Sequence, residues 1–213
     1  MRIEVFADIA CPWCYIGEKR LERALQQRPG LEAELEWKPF QLQPGIPPEG
    51  YPWEEFMVRK FGGLERMRSA FEQVARVGRA EGLEFNFGRV ARAINTADGH
   101  RLILWAARAG RQWPLAEALF RAHFTDGKNL NDPGDLLEAV ASAGLDREAA
   151  REFLASGELR NAVEESQRLA ERFGVQGVPF FVFDRKYALS GAQPVEVFLR
   201  VLDHVAQEQA TAF

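Results

Sequence analysis

Only two cysteines occur in the 213 residues, and they stand together as Cys11-Pro12-Trp13-Cys14. Two thiols three positions apart can close a disulfide with each other and reopen it. Such a chain can take up and return two electrons without a bound cofactor, and none is required. Cys11 is the candidate nucleophile. Attack on a disulfide needs a thiolate, and the positive end of a helix beginning at Pro12 favours that form. Cys14, one turn along the same helix, can then resolve the mixed disulfide. Two thiols are half of a tetrahedral zinc site, and His100, His123 and His204 show no ligand spacing, so no metal is expected.

Pro12 suits a first helical turn, where no amide donor is needed. Pro12 and Trp13 bring no charge to the sulfurs, and Trp13 offers apolar area beside them. Asp8, three residues before Cys11, could accept a proton during exchange or cap the helix start; its position favours capping.

The flanking pattern supplies the elements that position the pair. Ile3-Glu4-Val5-Phe6-Ala7 reads as a strand entering a core. A helix runs from about residue 12 to 28, with Leu21, Ala24 and Leu25 inward, and Pro29-Gly30 ends it. Residues 34–40 alternate as a second strand. Prolines and glycines crowd 43–52, a loop and candidate boundary. Helical spacing then dominates to about residue 173, with Asp132-Pro133 as one cap and first-turn proline. Phe180-Phe181-Val182-Phe183 reads as a buried strand. Tyr187-Ala188-Leu189 is its hairpin partner across Asp184-Arg185, a turn without the usual glycine. Pro194 opens a last helix. A β-α-β half and a β-β-α half, split by mostly helical sequence, make an α/β domain of residues 1–52 and 174–213 with an all-helical insertion over 53–173.

Net charge is −4 and no basic stripe occurs, so nucleic acid is not an expected partner. No apolar run approaches the roughly 20 residues that span a bilayer. Glu4 and Asp8 interrupt what a signal peptide would keep apolar. A cytoplasmic location is therefore expected, and there a C-x-x-C is catalytic, redox-sensing or metal-binding rather than structural.

The Cys11–Gly17 run after a strand, and Gly177-Val178-Pro179 before Phe180, resemble the DsbA family of thioredoxin-fold proteins, in particular its signal-less FrnE-type branch. Trp37–Leu42, Asn95-Thr96 with His100-Arg101-Leu102, and Ser190–Pro194 extend the likeness over nearly the whole chain. The branch is related to kappa-class glutathione transferases and 2-hydroxychromene-2-carboxylate isomerases. Some FrnE-type proteins carry a second cysteine pair; this chain has none, which excludes relay through one.

The resemblance implies a thioredoxin-like fold and a cis peptide at Pro179 facing the two thiols. It would present the Val178 backbone to an extended substrate. It also implies that Asn95 and His100 face the redox cleft, where His100 could stabilise a thiolate or bind a carboxylate. Trp53, Phe56 and Phe61 could wall that cleft or belong to the core.

Three functions remain open at this point. The first is a thiol–disulfide oxidoreductase acting on protein or peptide disulfides or low-molecular-weight thiols, with glutathione a possible co-substrate. The second is a glutathione-dependent isomerase or transferase of small aromatic compounds, which would leave one cysteine idle. The third is a redox sensor or peptide-binding chaperone. Neither the direction of electron flow nor the oligomeric state is fixed by the residues.

Overall fold

The computed structural model describes residues 1–211. Strand β1 (Arg2–Ala7) leads into helix α1 (Pro12–Gln26), which returns the chain to β2 (Glu34–Pro39). β1 and β2 pair in parallel, from Arg2 opposite Glu34 to Ala7 opposite Pro39. Parallel neighbours need a crossover connection, and α1 provides it.

A long excursion follows: β3 (Tyr51–Pro52), α2 (Trp53–Phe61), α3 (Leu64–Ala80), β4 (Arg92–Ala93), α4 (Ala97–Ala106), α5 (Gln112–Phe124), α6 (Pro133–Ser142), α7 (Arg147–Ser156) and α8 (Arg160–Arg172). The insertion is helical apart from the two-residue ladder that β3 and β4 form. That ladder ties the proline-rich loop to the insertion, and two residues are too few to show an alternating pattern. Asp132 caps α6 as its sequence predicts, its carboxylate accepting from the amides of Gly134 and Asp135 at 2.7 and 3.2 Å.

The chain re-enters the sheet as β5 (Phe180–Phe183) and β6 (Tyr187–Ser190) and closes with α9 (Val195–Thr211). The strand order is β2-β1-β5-β6, with β5 antiparallel to both of its neighbours. The glycine-free turn works because Asp184 and Arg185 both take left-handed φ, 48° and 57°. Two such residues give a hairpin turn whose twist matches its strands. The Asp184 carboxylate also accepts from the Arg2 amide at 2.7 Å, which holds the turn on β1.

β1 is central, and its alternation divides two cores. Ile3, Val5 and Ala7 join Leu21 and Ala24 of α1 and Phe198 and Leu202 of α9. Phe6, on the other face, packs with Phe40, Val182 and Ala170 of α8. With both faces covered, the C-terminal end of β1 and the start of α1 form a rigid corner, and Cys11 stands on it.

Candidate active site

Cys11 is the N-cap residue of α1, in extended conformation with φ −107° and ψ 108°. Cys14 donates its amide to the Cys11 carbonyl at 3.0 Å, which closes the first turn. Both side chains are free thiols, 5% and 2% exposed respectively. Burial pushes the Cys14 thiol well above its ordinary range, and the neighbouring Cys11 sulfur adds to the shift. No acidic side chain lies in the first turn of α1, so no carboxylate there offsets the positive end of the helix.

The Val178–Pro179 peptide is cis, as the resemblance implied. The Cys11 thiol donates to the Val178 carbonyl at 3.5 Å. Gly17 permits this approach of loop and helix: a Cβ there would lie 2.9 Å from Pro179 Cγ and 3.2 Å from Phe181 Cζ. A glycine within a helical pattern is a signal of such contact.

Asp8 does not cap α1. The cap position belongs to Cys11, and Asp8 lies three residues earlier, where β1 ends. Its carboxylate accepts from the amides of Ala10 at 3.2 Å and Leu42 at 2.7 Å, while its carbonyl accepts from the Cys11 amide at 2.9 Å. Asp8 thereby clamps the cysteine turn to the loop after β2, and it is itself 1% exposed.

His100 is fully buried on α4. Its Nδ1 accepts from Trp37 Nε1 at 3.2 Å, which leaves Nε2 facing Asp8 Oδ1 at 3.4 Å. The carboxylate it approaches is the protein's own Asp8, not one in an open cleft. Asn95 is spent on backbone: its Nδ2 donates to the Ile46 carbonyl at 2.6 Å and its Oδ1 accepts from the Ala97 amide at 3.0 Å. These bonds fix the entry to α4 and do not reach the thiols. Trp13 is half-buried beside the cysteines. Trp53 and Phe56 line a small cavity with Asp8, whereas Phe61 packs edge-on against Phe71, 5.7 Å between ring centres.

Two further groups stand out, His123, which the sequence marks only as lacking ligand spacing, and the half-buried Glu18. His123, on α5, is fully buried, and neither ring nitrogen has a hydrogen-bond partner among the described residues. Burial lowers it to about 4, so the ring is neutral at neutral pH. Glu18, on α1, is half-buried, its Oε2 has no partner among the described residues, and burial pushes its carboxyl up to about 8. Spacing carried a signal for both. Glu18 follows Cys14 by four and precedes Leu21 by three; His123 follows Phe120 by three and Leu119 by four. A polar residue on an apolar stripe is the observation to pursue.

The arrangement can carry thiol–disulfide exchange: an edge thiol beside a backbone acceptor, a second thiol one turn behind, and a buried carboxylate under the turn. Residues 2–203 match the family model described as the DSBA-like thioredoxin domain. A probable DsbA oxidoreductase from Streptomyces coelicolor is 37% identical, with a TM-score of 0.89 over 98% of this chain and 91% of that one. The cytosolic disulfide reductase DsbM of Pseudomonas aeruginosa, solved with GSH, is 25% identical, with a TM-score of 0.67 over 97% of this chain and 100% of that one. YwbO of Bacillus subtilis is 23% identical over 95% of this chain and 96% of its own length. The chain belongs to the DsbA-like thioredoxin-domain family.

Proposed function

We propose that the protein is a thiol–disulfide oxidoreductase that cycles the Cys11–Cys14 pair between dithiol and disulfide. The observation that carries this reading is the asymmetry of the two thiols. Cys11 caps the helix and touches the loop before β5, while Cys14 lies behind it with its proton held by burial. Cys11 attacks a substrate disulfide, and one substrate sulfur leaves as a thiolate. Cys14 then attacks Cys11, the second substrate sulfur leaves with the electron pair, and the Cys14 proton passes to Asp8. The backbone at Val178 offers the strand-like edge on which an extended peptide disulfide is aligned.

Glutathione is the low-molecular-weight thiol that we propose returns the pair to its reduced state, a reading supported by the GSH bound in the solved DsbM structure. A cytoplasmic, FrnE-type reductase fits the same neighbour. Pro12 and Trp13 add no charge that would stabilise a thiolate. A reduced form without that stabilisation makes a weak oxidant, so the couple belongs nearer the roughly −270 mV of thioredoxin than the roughly −120 mV of a strong oxidant.

Insulin reduction coupled to dithiothreitol or glutathione tests the proposal. Cys11→Ser abolishes turnover, and Cys14→Ser accumulates a mixed disulfide on Cys11 that mass spectrometry detects. Full turnover by Cys14→Ser with glutathione would overturn the dithiol cycle in favour of one-cysteine chemistry.

A further inference from the structure

The cavity under the cysteine turn measures about 20 Å³ and lies where α2, the entry to α4, and α5 meet the end of β1. Its polar lining includes Asp8, Gln43, Thr96 and His123, with Lys60 also on the wall. Roughly 10–15 Å³ suffices for one water, provided that it finds two or more polar partners. His123 supplies two otherwise unbonded nitrogens, and Thr96 a hydroxyl. Leaving a buried polar group unbonded is costly, and a polar cavity of this size beside the imidazole has room for one water.

We propose that His123 is a positioning residue of the exchange reaction, holding through one water in this cavity the Asp8 carboxylate that receives the Cys14 proton. The inference rests on the dithiol cycle proposed above. During resolution the Cys11–Cys14 bond forms and the bond between Cys11 and the substrate sulfur breaks. That sulfur leaves with the electron pair, and the Cys14 proton moves to Asp8. Asp8 and His123 line the same cavity, and the Asp8 charge acts on both Cys14 and His123. A neutral imidazole offers one donor and one acceptor, enough to orient a water whose own hydrogen points at a carboxylate. The other titratable groups beside Asp8 are His100 from α4 and Lys60 from α2, which shares the cavity wall. His100 Nε2 lies 3.4 Å from Asp8 and its ring is oriented by Trp37; His123 has the Lys128 backbone beside it but, among the described residues, no partner at full hydrogen-bond geometry, and a water in the cavity would complete its contacts.

The reduced protein mixed with 5,5′-dithiobis(2-nitrobenzoate) releases one aromatic thiolate when Cys11 attacks and a second when Cys14 resolves the adduct. Stopped-flow absorbance separates the two steps. His123→Phe keeps the ring packing and removes both nitrogens. It should slow the second release roughly tenfold at neutral pH, a part of the 10²–10⁴-fold that a positioned base contributes. The deficit should shrink as pH rises and solvent base takes over. His123→Gln should restore most of the rate, and in an Asp8→Asn background His123→Phe should add nothing. Thr96→Val, on the same cavity, serves if His123→Phe does not fold, and it too should slow only the second release.

A second release unchanged in His123→Phe, or slowed independently of pH and not restored by glutamine, overturns the proposal. If Asp8→Asn is slow and His123→Phe is not, Asp8 remains the acceptor and only the histidine's role falls. If Asp8→Asn is itself unimpaired, the acceptor reading falls, and the relay with it. If no second thiolate is released from the unmutated protein, the dithiol cycle is what has failed.

Discussion

At the tip of α1 the reactive groups are held by backbone. Cys11 occupies a helix cap, Cys14 closes the first turn through its amide, and the Val178 carbonyl receives the Cys11 thiol. On α4 and α5 the polar groups are held by packing. Among the described residues the His100 ring has one hydrogen bond, from Trp37, and the His123 ring has no side-chain partner. The thioredoxin-like core thus fixes the two thiols, and the helical insertion brings the imidazoles to the Asp8 side of them. Asp8 is where they meet: its carboxylate is bonded to core amides on one side and faces the insertion's histidines on the other. Backbone-held groups tolerate side-chain change nearby only where no atom is added at the contact. Packing-held groups respond to charge.

The largest effect that would break this contrast lies on the core side. Gly17→Val places branched carbons where even a Cβ would sit 2.9 Å from Pro179. Backbone elements must separate, and overpacking of this kind costs about 1–3 kcal/mol, occasionally more. The expected result is a lowered unfolding midpoint together with slower attack by Cys11, read as alkylation rate. Normal stability and normal alkylation would mean that the loop before β5 adapts freely, and the rigid half of the comparison would be lost.

The next effect sharpens the contrast through pH. Glu18 of the core has its carboxyl raised from 4.5 to about 8, so the folded state keeps a proton that the unfolded chain has released across that window. Stability therefore falls as pH rises from 4.5 toward 8. His123 of the insertion is lowered from 6.5 to about 4, so the unfolded chain holds the extra proton and stability falls as pH drops through that window. Each slope is bounded at about 1.4 kcal/mol per pH unit. The opposed slopes cancel between about pH 4.5 and 6.5, so denaturant titrations between pH 4 and 8 should show Glu18→Gln removing the fall above 6.5 and unmasking a rise from 4.5 to 6.5, and His123→Gln removing the acid-side loss and leaving a continuous fall from 4.5 to 8. The same variant flattening both sides would show one coupled cluster instead of two.

What could be read in advance followed the same division. Cys11, Cys14, the helix start at Pro12 and the strand at Phe180 are local features, and residue type with spacing suffices to find them. Val178-Pro179 was legible because the motif before an aromatic strand is compact, although only the resemblance gave its cis form. The role of Asp8 was misjudged because a carboxylate near a helix start has two local readings. The loop that claims it, at Leu42, is 34 residues away. His123 carries no ligand spacing and so gives no sign of its role in the sequence. Its importance depends on α5 docking against the end of β1, a contact between distant segments that spacing along one helix cannot reveal. The β3–β4 ladder failed to register for the opposite reason, being too short for any period.

The smallest effect joins the two regions. Trp37 of β2 donates its indole Nε1–H to His100 Nδ1 at 3.2 Å, the hydrogen bond that orients this imidazole toward Asp8. Trp37→Phe keeps an aromatic ring among Trp113 and Phe120 but leaves Nδ1 without its donor. A lost buried hydrogen bond costs on the order of 1 kcal/mol. For a chain of this length that lowers the thermal midpoint by about 2–4 °C per kcal/mol. Imidazole nitrogen chemical shifts should move for His100 and stay in place for His123, because only the former has a core side chain bonded to its ring. A shift at both rings would mean that the histidines reach Asp8 as one network, and that the core governs the protons as well as the electrons.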